Sequence, residues 1–132
     1  MTRFTSPLHK QIEYSSVVWR NSDTYKNVRY AVRKMSLAQR IELTERIQTL
    51  SSKYEFLKAG DALEKAEAHL ADLLVRKLYL EWGLAVLEGL IIDGEKSSVE
   101  LLIEKGPEPL CEEIITSIRA ELELSEAERK NS

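Results

Sequence analysis

The residue types that most often do chemistry are sparse and scattered in this chain. Its two histidines, His9 and His69, stand 60 residues apart, and Cys111 is its single cysteine. A structural zinc site takes four such ligands at short spacings, and nothing here is arranged that way. Cys111 is followed by Glu112 and Glu113. A nucleophilic thiol needs a histidine or a positive field to lower its pKa, and carboxylate neighbours do the reverse. It reads as a small hydrophobe beside an apolar stripe. His69, with Lys65 and Asp72 at helical spacing, reads as a boundary residue. Glu64, Glu67, Asp72, Glu81 and Glu88 fit the solvated face of a helix rather than a general acid–base pair. No glycine-rich phosphate loop, nucleophile elbow or His-Glu-x-x-His occurs. The expectation is a non-enzyme with no metal and no cofactor.

What remains as candidate functional chemistry is recognition. Arg29, Arg33 and Lys34 make a small basic strip that could meet an acidic segment of a partner or of a second copy. Tyr79 and Trp82 fall at i and i+3 of one helix pattern, either as core packing or as an aromatic anchor for a partner. These five residues are the candidate partner-binding set.

The elements that must carry them follow from periodicity. Ile12 to Arg20 is rich in Tyr, Val and Trp and predicts a strand. Asn21-Ser22-Asp23 is turn chemistry. Val28 to Arg33 alternates, with Val28, Tyr30 and Val32 on one face and Arg29, Ala31 and Arg33 on the other. The two pieces predict an antiparallel hairpin whose apolar face needs a cover of helix or of another chain's sheet.

Ser36-Leu37-Ala38-Gln39 matches a capping box, and Leu43, Ile47, Leu50, Tyr54 and Leu57 then repeat at steps of 4, 3, 4 and 3. Gly60 is a natural stop in the left-handed conformation. Asp61-Ala62-Leu63-Glu64 restarts with a second capping box. Leu63, Ala66, Leu70, Leu73, Leu74, Leu80, Leu84 and Leu87 form its wider stripe, which predicts a helix running through Leu87. The short connection favours an antiparallel pair, and Gly83 marks a close helix contact or a bend. Leu90-Ile91-Ile92 with Asp93-Gly94 predicts a short extended piece and a turn. Helices follow over roughly 98–105 and from Pro107 onward, where Leu110, Ile114, Ile118 and Leu122 recur, and a last short turn begins at Ser125 before a charged tail. The fold class is mainly α with a small N-terminal β-hairpin (α+β). It reads as one domain over 1–132, with a loose arm over 1–11, the hairpin over 12–34 and a helical region over 36–132.

With 132 residues the chain can bury one real core without disulfide or metal. No apolar run is long enough to span a membrane or form a signal peptide's core, so a cytoplasmic location is expected. The net charge of −3 hides an asymmetry. Residues 1–58 hold 11 basic and 5 acidic side chains, net +6, and residues 59–132 hold 8 and 17, net −9. Either the halves face each other in the fold, or the molecule associates head to tail with a second copy. The basic residues are spread out and the pI is acidic, which makes nucleic acid the weaker partner class.

A likeness to a known family rests on several stretches: Tyr30-Ala31-Val32-Arg33-Lys34-Met35-Ser36, Glu55-Phe56-Leu57-Lys58-Ala59-Gly60, Tyr79-Leu80-Glu81-Trp82-Gly83-Leu84, Glu88-Gly89-Leu90-Ile91-Ile92-Asp93-Gly94-Glu95, Leu101-Leu102-Ile103-Glu104-Lys105-Gly106-Pro107-Glu108, and the terminal Leu124-Ser125-Glu126-Ala127-Glu128-Arg129-Lys130-Asn131. From about residue 28 the chain resembles the tail assembly chaperones of tailed phages and prophages. The resemblance implies a non-enzymatic protein of the host bacterial cytoplasm. It implies binding to the long helical tape-measure protein, or to other tail proteins, and departure before the tail is complete. It transfers no residue-level binding motif. Two alternatives stand beside it: a structural tail-completion or connector component of the particle, and a small nucleic-acid-binding regulator using the basic hairpin. A homo-oligomer is expected from the charge asymmetry and the hairpin.

Overall fold

The computed structural model describes residues 10–130, with side chains through Glu123. The elements are β1 (Val17–Asn21), β2 (Arg29–Arg33), α1 (Leu37–Leu57), α2 (Ala62–Gly83), β3 (Leu84–Glu88), β4 (Ile91–Ile92), β5 (Glu95–Lys96), α3 (Val99–Lys105) and α4 (Glu108–Lys130). The fold is mainly helical with a small antiparallel N-terminal sheet. Most of the arm expected over 1–11, His9 included, and the end of the charged tail lie outside the described residues.

Helices α1 and α2 begin where local chemistry satisfies their first N–H groups. Gln39 N–H donates to Ser36 Oγ at 3.2 Å and Ser36 N–H to Gln39 Oε1 at 3.0 Å. Glu64 N–H donates to Asp61 Oδ1 at 2.9 Å and Asp61 N–H to Glu64 Oε1 at 3.2 Å. Gly60 ends α1 by another route than the expected left-handed turn, since the positive-φ positions are Asn27, Gly89, Asp93 and Gly94. A Cβ at Gly60 would sit 2.6 Å from Glu64 Oε1, so glycine leaves room for the capping carboxylate of α2. Ser98 caps α3, accepting from Leu101 N–H at 3.1 Å.

The sheet has the order β1-β2-β3, all antiparallel. Its third strand corrects the expected helix through Leu87. The chain leaves α2 after Gly83, and Leu84–Glu88 pairs with β2, Tyr30 opposite Leu87 and Arg29 opposite Glu88. The leucine spacing could not tell the two apart, because Leu84 and Leu87 are buried either way. The strand prediction at Ile12 is also too long. Ile12 and Tyr14 are exposed and regular pairing begins at Val17, where Arg33 becomes available as a partner. At the other end, α4 runs without the break expected at Ser125, since Glu, Ala, Arg and Lys all favour a helix and no Gly or Pro intervenes.

One face of the sheet packs on the helices. Val28, Tyr30 and Val32 join Leu80, Leu84, Leu87, Leu102, Leu110, Ile114, Ile115 and Ile118 in the core. The other face is drier than alternation suggests. Ala31 is fully buried, because it lies between Trp19 and Val86 in register.

Gly83 makes the α2–α4 contact possible. A Cβ there would lie 2.5 Å from Ile118 Cγ2, and Ile118 is buried. Gly83→Ala is expected to lower unfolding free energy by about 2 kcal/mol, the usual cost of overpacking a tight core. Ile118→Ala removes Cγ2, Cγ1 and Cδ1, the three atoms that Cβ would meet, so it should cost less beside Gly83→Ala than in the native chain. Denaturant titration of the two single variants and the double reads the coupling.

Candidate functional site

The structure disperses the five candidate residues rather than assembling them. Arg29 stacks its guanidinium 4.0 Å over the Trp19 ring and approaches Glu88 Oε1 at 3.5 Å. Lys34 lies 5.3 Å from the Tyr14 ring centre. Arg33 instead lines a groove on the far edge of the sheet. Two of the three cations are thus engaged with aromatic rings, which weakens the strip as a phosphate-binding surface. Tyr79 and Trp82 diverge around α2. Tyr79 packs against the core with the Arg119 guanidinium 5.8 Å from its ring, and Trp82 meets Arg46 of α1 at 5.6 Å.

Cys111 is half-buried, its Sγ 4.0 Å from the carbonyl oxygen of Leu102. Burial, with Glu108 nearby, pushes its thiol pKa up. That favours the thiol over the nucleophilic thiolate. Among the described residues, no group of three or more His, Cys, Asp and Glu side chains is placed to hold a metal ion, and no helix is long and apolar enough to cross a membrane.

A surface that the candidate list lacks is the outer face of α2. The helix buries Ala68 and Ala71, each 2% exposed, and α1 is its most extensive neighbour. The larger apolar side chains of α2 are left outside: Leu63 is 71% exposed, Leu70 53%, Leu73 38% and Leu74 37%. Near the hairpin's turn, Phe56 of α1 is 83% exposed. Large apolar side chains left exposed along one helix face mark an interaction surface more often than an isolated exposed leucine does.

The stripe borders two grooves. One, of about 360 Å³, runs between Thr49 and Leu50 of α1 and Leu74 and Leu78 of α2. The other, of about 700 Å³, lies between β3 and α3, with Val86, Val99 and Ile103 in its lining. Lys77 and Glu81 line both, so these two side chains stand on α2 between the grooves. The geometry suits side-chain burial from an elongated partner. The signal was present in the sequence as two apolar registers on one helix: Ala68 and Ala71 on one, Leu63, Leu70 and Leu74 on the other. Periodicity alone left open which register faces inward.

Compared with known proteins, the chain matches no family model, no curated protein and no solved structure.

Proposed function

We propose that this chain is a non-enzymatic assembly chaperone that shields an amphipathic helix of a partner, in the manner of the tail assembly chaperones its sequence resembles. The exposed leucine stripe of α2 beside the α1–α2 groove is the observation that carries the reading. A helix laid along it would bury leucine against leucine, the helix-in-groove mode of recognition. A tape-measure protein is a fitting client, since its long apolar stripes aggregate unless covered while tube subunits assemble around it.

The test is co-expression of the chain with a tape-measure protein from a tailed phage, followed by affinity capture. Soluble co-purification is expected from the native chain. Leu74→Asp should reduce capture at least tenfold, because a carboxylate would be desolvated at the contact. Leu74 is only 37% exposed and lines the α1–α2 groove, so capture is compared well below the Tm of the variant, read in parallel by thermal melt. Equal capture by Leu74→Asp would sink the stripe as the binding surface. Finding the chain in fixed copy number in finished tails would favour the structural-component alternative instead.

A further inference from the structure

The stripe also has an internal symmetry that bears on the chain without any client. Glu67, Leu70, Leu74 and Lys77 follow one another at steps of three, four and three. At about 100° per residue they share an arc of roughly 80° on α2. All four side chains are exposed. Neither Glu67 nor Lys77 takes part in an ion pair among the described residues.

This order reads the same from both ends, with charge reversed. A second α2 laid antiparallel, with a two-fold axis level with position 72, would place Leu70 against Leu74 of the other copy. It would place Glu67 against Lys77 of the other copy. Each contact occurs twice, as an isologous interface requires. Asp72 lies at that level but borders a different groove, toward Glu108 and Arg119 of α4, so no acidic pair meets on the axis. Two leucine pairs flanked by two opposite-charge pairs is the pattern of a short antiparallel coiled-coil seam.

We infer that the free protein is a two-fold dimer in which the outer faces of α2 from two copies pair antiparallel in this register. The surface is the one read above as the client seat, so the inference shares that choice of surface; its assays contain no client, and the two can fail separately. A dimer of this kind would keep Leu70 and Leu74 covered until a client helix displaces the second copy; Leu63, at the end of the seam, comes level with Glu81 of the other copy.

Sedimentation equilibrium on the full chain is expected to show a dimer at micromolar concentration. Glu67→Lys and Lys77→Glu, each of which sets like charges opposite one another twice, should each raise the dissociation constant about tenfold or more, and the double exchange should return it to within about threefold of the native value. A second measurement needs no substitution. Carbodiimide joins only carboxylates and amines in contact, and Glu67 and Lys77 of one helix are about 15 Å apart along its axis. A Glu67–Lys77 cross-link in the dimer band, mapped by mass spectrometry, is therefore intermolecular. A native chain that stays monomeric at high micromolar concentration would overturn the inference. So would a dimer that lacks this cross-link and ignores both charge reversals.

Discussion

Gly89→Ala is expected to destabilise the chain by about 3 kcal/mol, combining a left-handed backbone penalty of 1–2 kcal/mol with a steric one of similar size. Gly89 has φ of +86°, which an L side chain rarely adopts. A Cβ there would lie 2.0 Å from the carbonyl oxygen of Asn27 and 3.2 Å from Val28 Cα. Both neighbours are backbone, so the clash cannot be relieved by a rotamer change. The chain would have to separate the end of β3 from the start of β2, where Arg29 pairs with Glu88 and Val28 enters the core. The expected readout is a fall in Tm of about 10 °C and an earlier denaturant midpoint with an unchanged slope. A variant within 2–3 °C of the native Tm would show that the β2–β3 junction is loose, contrary to its packing.

Gly94 makes an informative control. It too has positive φ, +80°, yet nothing lies within 4 Å of a Cβ placed there. Its replacement carries the backbone penalty alone. The two glycines therefore separate conformational strain from close approach.

How much of this was legible in the sequence depends on how local the cause is. The capping boxes at Ser36 and Asp61 were readable because donor and acceptor lie three residues apart. The hairpin of β1 and β2 was readable from alternation. β3 was not, because Leu84 and Leu87 continue a helical spacing and the evidence against it is Tyr30, far away in the chain. That the leucine stripe of α2 faces outward was not legible for a related reason. Periodicity finds apolar faces but does not say which one a neighbour covers, and here the alanine face took the contact. The charge asymmetry was legible, and the fold does join the two halves. Arg20 reaches Glu121 at 3.8 Å, Arg29 reaches Glu88, and Arg40 donates to the carbonyl of Leu122 at 3.1 Å. Which carboxylate would matter most for stability was not legible, since Glu113 looks like any acidic residue on an amphipathic helix.

Glu113→Ala is expected to cost about 2 kcal/mol, because this carboxylate fastens the β1–β2 loop to α4 through charge-assisted hydrogen bonds that are partly screened by solvent and less than additive together. Its Oε1 accepts from Ser22 Oγ at 2.9 Å and Thr24 N–H at 3.1 Å. Its Oε2 accepts from Asp23 N–H and from the Tyr30 hydroxyl, both at 3.2 Å. Tyr30 also shares a hydrogen bond of 2.9 Å with Ser117 Oγ, so the cluster ties the loop, the central strand and α4 together. Burial alone would raise the Glu113 pKa; the donors on Thr24, Ser22 and Asp23 outweigh it, and the net shift is downward. A carboxylate whose folded pKa lies below its unfolded value binds fewer protons when folded. Its contribution is therefore complete above the unfolded pKa, near the ordinary carboxylate range, and is lost as pH falls through the lower folded pKa. Glu113→Gln keeps the shape but turns an amide N–H₂ toward backbone donors, so it should destabilise at neutral pH by roughly 1 kcal/mol. It should also flatten the acid limb of the stability–pH curve, which a cavity or packing defect would leave unchanged. Chemical denaturation from neutral to acidic pH separates the cases: parallel acid limbs for the native chain and Glu113→Gln would mean that the loop is held by something other than this charge.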